Sequence, residues 1–301
     1  MAIASMNTGL AAGGLVLAAQ QGRMRNAAAV SRWLGGYKPK GLAATVYVNS
    51  RLGSDDILQG SGSEVAPFKT IDAAVAAMGH VKTQDGYEQF RTLVVQGGVH
   101  DVSAVELPMG RWIIVLEGGA ELEGSIGFEL LAAEAFTSVL PPGVCIINAD
   151  ASPGEATWDV VTFSQGTGAA VTSAFVYSRG CAVEEVVAAP ATLTTVSVEL
   201  DRCSVGELLE TDADVLLIDC AVARNVSVNS LQTRDTQITG DITVVTANND
   251  LVTTILGPGA GTFTGPAGSF IVDGRTNYWF ITNAWALAGG ATKVVADDLT
   301  P

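Results

Sequence analysis

The chain has 301 residues, 48% of them hydrophobic and only 16% charged, with 34 glycines and a formal net charge of −15. That length suffices for one large core or two medium ones, and few charges among many Gly, Val and Thr residues point to an all-β protein rich in turns. The acidic balance argues against nucleic-acid binding, because phosphate contacts need Lys and Arg.

The charge is unevenly placed. Residues 1–54 hold no acid, and Arg23, Arg25, Arg32, Lys38, Lys40 and Arg51 make that stretch +6, leaving the other ten bases against all 31 acids at a net −21. A basic arm on an acidic body predicts that the arm docks and the body is displayed. Residues 1–44 are taken as that arm, with Arg23, Arg25, Arg32, Trp33, Lys38 and Lys40 as its anchoring residues. The apolar run Leu10–Ala19 is too short to span a bilayer, and no basic residue precedes it as in a secretory signal. The stretch "NAAAVSRWLGGYKP" (26–39) reads as a short helix closed by Gly35-Gly36.

The body begins at "TVYV" (45–48), a strand, followed by the loop "GSDDILQGSGSEVAPFKT". Thr70 is placed to cap a helix in which Ile71, Ala74, Val75 and Met78 share one face, with Asp72 in the first turn. Strands are then expected in "RTLVVQGG" (91–98), "RWIIVLEGG" (111–119) and "VCIINAD" (144–150), with His100 in an early turn. Further on, "VYSRGCAV", "VSVELDRCSV", "DVLLIDCAV" and "LQTRDTQITG" form a weak repeat. Aligning Cys181, Cys203, Cys220 and Thr236 gives spacings of 22, 17 and 16 residues. Short strands at that period predict a parallel β-solenoid, with roughly eight coils over residues 91–256 at about 20 residues each. The recurring cysteines would form an inward ladder of reduced thiols acting as compact apolar side chains. None of the four cysteines lies in a CxxC, and His80 and His100 are far apart, which argues against a zinc site. No metal or other cofactor is expected.

The segment "VYVNSRLGSDDILQGSGSEVAPFKTIDAAVAAMG…RTLVVQGGVH" resembles the N-terminal module of right-handed parallel β-helix proteins of the pectate-lyase-like class. The features that carry the resemblance are Tyr47-Val48, Gly53-Ser54-Asp55, Pro67-Phe68-Lys69-Thr70-Ile71, Ala73-Ala74 and the strand Val94 to Gly98. The resemblance implies a β-helix over residues 45–256, with the amphipathic helix as the cap that covers its open end. The same module fronts lyases, glycosidases, phage tailspikes and non-enzymatic virion fibres, so it implies the fold rather than an activity. Residues 257–301 open with a Gly/Pro-rich stretch and gather Tyr278, Trp279, Phe280 and Trp285. They are expected to form a small C-terminal β module whose aromatics serve a trimer interface or a glycan platform.

For chemistry, Asp201, Asp219 and Asp235 recur beside the repeat positions and are the candidate acids of a glycan-cleaving edge. They fall one residue out of phase with the cysteines, which would turn one of them to another face. Corner-associated Asp residues are the competing reading. Glu184-Glu185 are adjacent on a strand and expected to point apart. No catalytic residue carries over from the family, and no Ser-His-Asp set or phosphate loop is present, so nothing in the sequence supports enzymatic activity. Two functions are compatible with these features. One is a structural virion protein of a tailed phage (fibre, spike or decoration type), homotrimeric, made without a signal peptide, held to capsid or tail proteins by its arm and reaching a host-surface glycan. The other is a polysaccharide lyase or glycosidase of the tailspike depolymerase kind.

Overall fold

A computed structural model of the chain describes residues 42–56, 62–78, 90–130, 141–150, 156–165, 173–188, 195–209, 213–246, 249–252, 255–256, 262–266, 268–272, 286–288 and 291–295. It is mostly β-structure. The strands that make the first face of each coil run in chain order as β1 (Leu42–Asn49), β2 (Phe90–Asp101), β3 (Arg111–Leu130), β4 (Gly143–Asn148), β5 (Ser173–Arg179) and β6 (Thr195–Asp201). They continue as β7 (Ala213–Ile218), β8 (Ser230–Arg234), β9 (Asn249–Val252), β10 (Gly268–Val272) and β11 (Ala291–Val295). Each pairs in parallel with the next, from β1–β2 through β10–β11. Parallel neighbours joined by long connections, stacked without interruption, are what a solenoid requires. Eight of these strands, β2 to β9, start within or at the edge of residues 91–256, as the repeat spacing predicts.

The register runs through single columns. Val46, Leu93, Ile114, Ile146, Ser178, Leu200, Leu217 and Thr233 follow one another up one inward column. From Ser178 onward the steps are 22, 17 and 16 residues, the same intervals that separate the Cys/Thr positions. From Ile114 to Ile146 and from Ile146 to Ser178 they are 32 residues each. Those two long coils depart from the expected coil of about 20 residues. Trp112, Val144, Val176, Val198, Val215 and Leu231 fill the neighbouring inward column and, like most of the first, are buried in one continuous apolar core.

Glycines bend the first coils. β2 and β3 each pass from the first face to the second as one strand, turning at Gly97-Gly98 and Gly118-Gly119, all at positive φ. His100 lies beyond the first of these bends, buried near the end of β2 rather than in a turn. The second face continues through Thr157–Gln165, Ala182–Glu185, Ser204–Glu207, Ala221–Val222, Gln237–Ile238 and Ile255–Leu256. A third forms from Val226–Val228, Ile242–Val244, Thr262–Thr264 and Ala286–Ala288. The described strands after residue 257 thus extend the same parallel sheets.

Helix α1 (Ile71–Met78) packs beside β1, the terminal strand, with Ile71, Ala74 and Val75 buried in the core. Thr70 Oγ1 accepts from the Ala73 N–H at 3.2 Å, the expected cap. Asp55 secures this start: its carboxylate accepts from the N–H groups of Lys69 (2.8 Å) and Thr70 (3.0 Å) and from the Thr70 hydroxyl (3.0 Å). Gly53 makes the approach possible, because a Cβ there would lie 2.2 Å from the Phe68 carbonyl oxygen. The Gly-Ser-Asp and Pro-Phe-Lys-Thr-Ile segments are therefore two halves of one clasp.

Candidate functional site

The corner between the first and second faces carries the repeat. It is a single residue in the left-handed region followed by a small buried side chain: Gly180-Cys181, Arg202-Cys203, Asp219-Cys220 and Asp235-Thr236, with φ of 69°, 54°, 54° and 50° at the first member. Three of those corner residues donate their N–H to the next coil: Gly180 to Asp201 O (3.0 Å), Arg202 to Ile218 O and Asp219 to Arg234 O (both 2.8 Å). The following side chains stack inward. Cys220 Sγ accepts from the Cys203 N–H at 3.4 Å and Thr236 Oγ1 from the Cys220 N–H at 3.5 Å. Each side chain also donates to the carbonyl two residues earlier, from 2.9 Å at Thr236 to 3.5 Å at Cys203. The thiols are free and buried, as expected, but they do more than fill space: they satisfy backbone donors that the corner would otherwise orphan. Burial pushes the Cys181 thiol up, and the Cys203 thiol together with burial does the same to Cys220, so both are held as thiols.

The three candidate acids are not brought together. Asp219 and Asp235 are exposed corner residues. Asp201, one position out of phase, closes β6 and is buried on the outward face of the sheet. There it takes Arg179 Nε on one oxygen and Arg202 Nε on the other, both at 3.4 Å. Glu199 and Tyr177 lie on the same face. Burial, with Cys145 next to it, holds the Tyr177 phenol well above its ordinary value, so it stays protonated. This arrangement fixes charges in place; it does not leave an acid and a base facing a groove. Glu184 and Glu185 are both exposed, because the strand ends at Glu185 and the alternation ends with it. Arg224 bridges Glu184 and Glu207 across three coils, the latter at 3.7 Å.

A second gathering of carboxylates was not anticipated. A cleft of about 370 Å³ lies between α1 and the strands beside it, lined by Asp72, Val75, Ala76, Ala104, Glu106, Pro108 and Glu129. Ser164 Oγ donates to Glu106 Oε1 at 3.2 Å within reach of it. The sequence separation of 57 residues between Asp72 and Glu129 hides this juxtaposition; only the coil register reveals it. Among the described residues, no group of three or more His, Cys, Asp or Glu side chains is arranged to hold a metal ion, and no helix is long and apolar enough to cross a membrane. The anchoring candidates Arg23, Arg25, Arg32, Trp33, Lys38 and Lys40, and the aromatic candidates Tyr278, Trp279, Phe280 and Trp285, lie outside the described residues. Compared with protein-family models, curated proteins and solved structures, the chain matches none.

Proposed function

We propose that this chain is a structural virion protein of a tailed phage, of the fibre, spike or decoration type. In this reading the solenoid is a right-handed β-helix closed by α1, the basic arm engages capsid or tail protein, and three chains associate through the C-terminal aromatics. The observation that carries the reading is the way the recurring polar residues are used. The repeat's acids and cysteines serve corner geometry and backbone satisfaction, coil after coil, and Asp201 is locked between two guanidinium groups. A rod that invests its repeats in stacking is suited to display and mechanical reach. The resemblance of the N-terminal clasp to β-helix virion proteins supplies the biological class.

Light scattering on the full-length chain tests it. A mass of three chains, with binding to purified phage particles lacking this protein, is the expected result; a monomer that binds no particle component overturns it. A second reading, glycan cleavage, is favoured by one observation, the acid-lined cleft of Asp72, Glu106 and Glu129. Release of reducing ends or unsaturated sugars from host polysaccharide, abolished by Glu106→Gln, would establish that reading in place of the first.

A further inference from the structure

We infer that Cys203 and Cys220 form a disulfide when the folded chain meets hydrogen peroxide, a covalent staple between two consecutive coils. The register stacks them. Before the corner Asp201 pairs with Ile218, and after it Ser204 pairs with Ala221, with two residues between in each coil. Cys203 and Cys220 therefore lie one strand spacing apart, about 4.8 Å, which is within the Cα separation that a disulfide spans. Cys181 stacks on the other side of Cys203, because Asp201 also pairs with Arg179 and Ser204 with Ala182. The sulfur positions choose between the two neighbours. Cys220 Sγ turns toward the coil of Cys203, 3.4 Å from its backbone nitrogen and 3.3 Å from the Leu200 carbonyl oxygen. Cys181 Sγ turns away from Cys203: it lies 3.4 Å from Arg179 O in its own coil and 4.0 Å from Ile146 O in the coil before.

Cys203 is the member that loses its proton first. Burial opposes its ionisation, but hydrogen bonds from the Cys220 thiol, the Cys181 backbone and the Ser178 hydroxyl outweigh burial and hold the Cys203 thiol below its ordinary value. The Trp158 indole N–H donates to Ser178 Oγ at 3.0 Å, so the Ser178 hydroxyl proton is left for sulfur. A nucleophilic sulfur beside a protonated one is the arrangement of an attacking and a resolving cysteine. The Cys203 thiolate attacks one peroxide oxygen, the O–O bond breaks and hydroxide leaves, giving a sulfenic acid. The Cys220 sulfur then attacks the Cys203 sulfur, the S–O bond breaks, and the oxygen leaves as water with the Cys220 proton. Two thiols and one hydrogen peroxide become one disulfide and two waters. Peroxide is small enough to enter as the corner breathes, since the exposed Asp219 directly precedes Cys220. Losing the two S–H groups leaves the Asp201 and Ile218 carbonyls satisfied, because they keep the N–H groups of Gly180 and Arg202. The staple also falls at a boundary. On the outward face Glu199, in the coil of Cys203, is buried, whereas Leu216, in the coil of Cys220, is half-buried. The inference does not rest on the virion reading, since any protein built on these coils would carry the same pair.

The test uses the full-length chain, reduced and folded. It is treated with hydrogen peroxide, its remaining thiols are alkylated in denaturant, and peptides cut after acidic residues are read by mass spectrometry without reduction. Cleavage at Glu207 or Glu210 separates the two cysteines. The expected result is a Cys203 peptide joined to a Cys220 peptide, with Cys145 and Cys181 alkylated and the link reversed by dithiothreitol. The thermal midpoint of the oxidised chain should rise by roughly 3–8 °C over the reduced one. Cys220→Thr places at this corner the residue that Thr236 supplies one coil further on, so it should fold, and peroxide should not raise its midpoint. Four alkylated thiols after treatment, Cys203 oxidised without a link, or a bond from Cys203 to Cys181 or Cys145 would overturn the inference. So would an unchanged midpoint in the linked chain, or an equal rise in Cys220→Thr.

Discussion

Ile113 and Gln232 occupy the same outward column of one sheet, yet the first is buried and the second is exposed. Between them the column passes through Cys145, Tyr177, Glu199 and Leu216, and the change of environment falls between Glu199 and Leu216. The early coils are therefore buried on both faces of their first sheet and read as near-continuous apolar strands: Trp112 to Leu116 has no polar residue at all. The later coils are buried on one face and alternate, as in Ala213–Ile218. One architecture thus carries two kinds of stability, a doubly packed base and a singly packed rod.

The largest effects should come from the base. Trp112 is fully buried, donates its indole N–H to Pro108 O at 2.8 Å and lies under the Arg91 guanidinium, 5.0 Å from the ring centre. Trp112→Ala should destabilise by about 3–5 kcal/mol in denaturant unfolding. A sharper test of the comparison uses the outward column alone. Ile113→Ala should cost about 2–4 kcal/mol, whereas Leu216→Ala, four strands higher and half-buried, should cost about 1 kcal/mol or less. Equal losses would mean that the two regions are packed alike.

The corner ladder offers the next test, because it continues from the base into the rod. Cys220→Ala removes the acceptor of the Cys203 N–H and should destabilise by about 1–3 kcal/mol. Cys220→Thr should restore most of that loss, since Thr236 performs the same task one coil further on. If Ala and Thr behave alike, the ladder acts by volume only.

Much of this was legible in the sequence. The capped helix, the early strands and the 22, 17 and 16 residue steps follow from apolar spacing and from the recurrence of one small residue after a corner. What was not legible has physical causes. The two 32-residue coils are nearly twice as long as the 16- and 17-residue coils after them, and a repeat aligned at the shorter period does not reach across them. The double burial of β3 and β4 was visible as unbroken apolar runs, but a sequence does not say which of two faces meets which partner. The acid-lined cleft joins residues 57 positions apart through stacking alone. One of the three Asp residues is expected from the spacing to turn to another face, and the register identifies it as Asp201: it is the last strand residue, where Asp219 and Asp235 are the corner itself.

A smaller effect should separate the base from the rod by pH. His100 is buried at the edge of the first coils, and burial holds its pKa below the ordinary 6.5, although carbonyls of Gln96 and Gly97 pull the other way. The unfolded chain takes up a proton as pH falls below about 6.5 while the folded chain resists until its own lower pKa. Stability from this group is therefore complete above that pH and declines below it, by at most about 1.4 kcal/mol per pH unit for one proton. His100→Gln should flatten the unfolding free energy between neutral and mildly acidic pH. An unaltered slope would assign the acid sensitivity to other groups.

The smallest effect concerns the corner residue, and it tests whether the coils are interchangeable there. Gly180 and Asp219 occupy equivalent left-handed positions, and a Cβ built at Gly180 meets only Asn148 Cβ at an ordinary 3.5 Å. Space therefore does not require glycine at this corner, and backbone conformation alone sets the preference. Asp tolerates the left-handed region better than most residues, whereas a β-branched side chain does not. Asp219→Gly should leave stability within about 0.5 kcal/mol, the relief of strain being offset by glycine's greater freedom in the unfolded chain. Asp219→Val should cost about 1–2 kcal/mol. Gly180→Asp should be accepted as readily as the Asp at 219, with a loss of about 1 kcal/mol or less. A much larger loss at 180 than at 219 would show that the doubly packed coils hold their corners more tightly than the rod does.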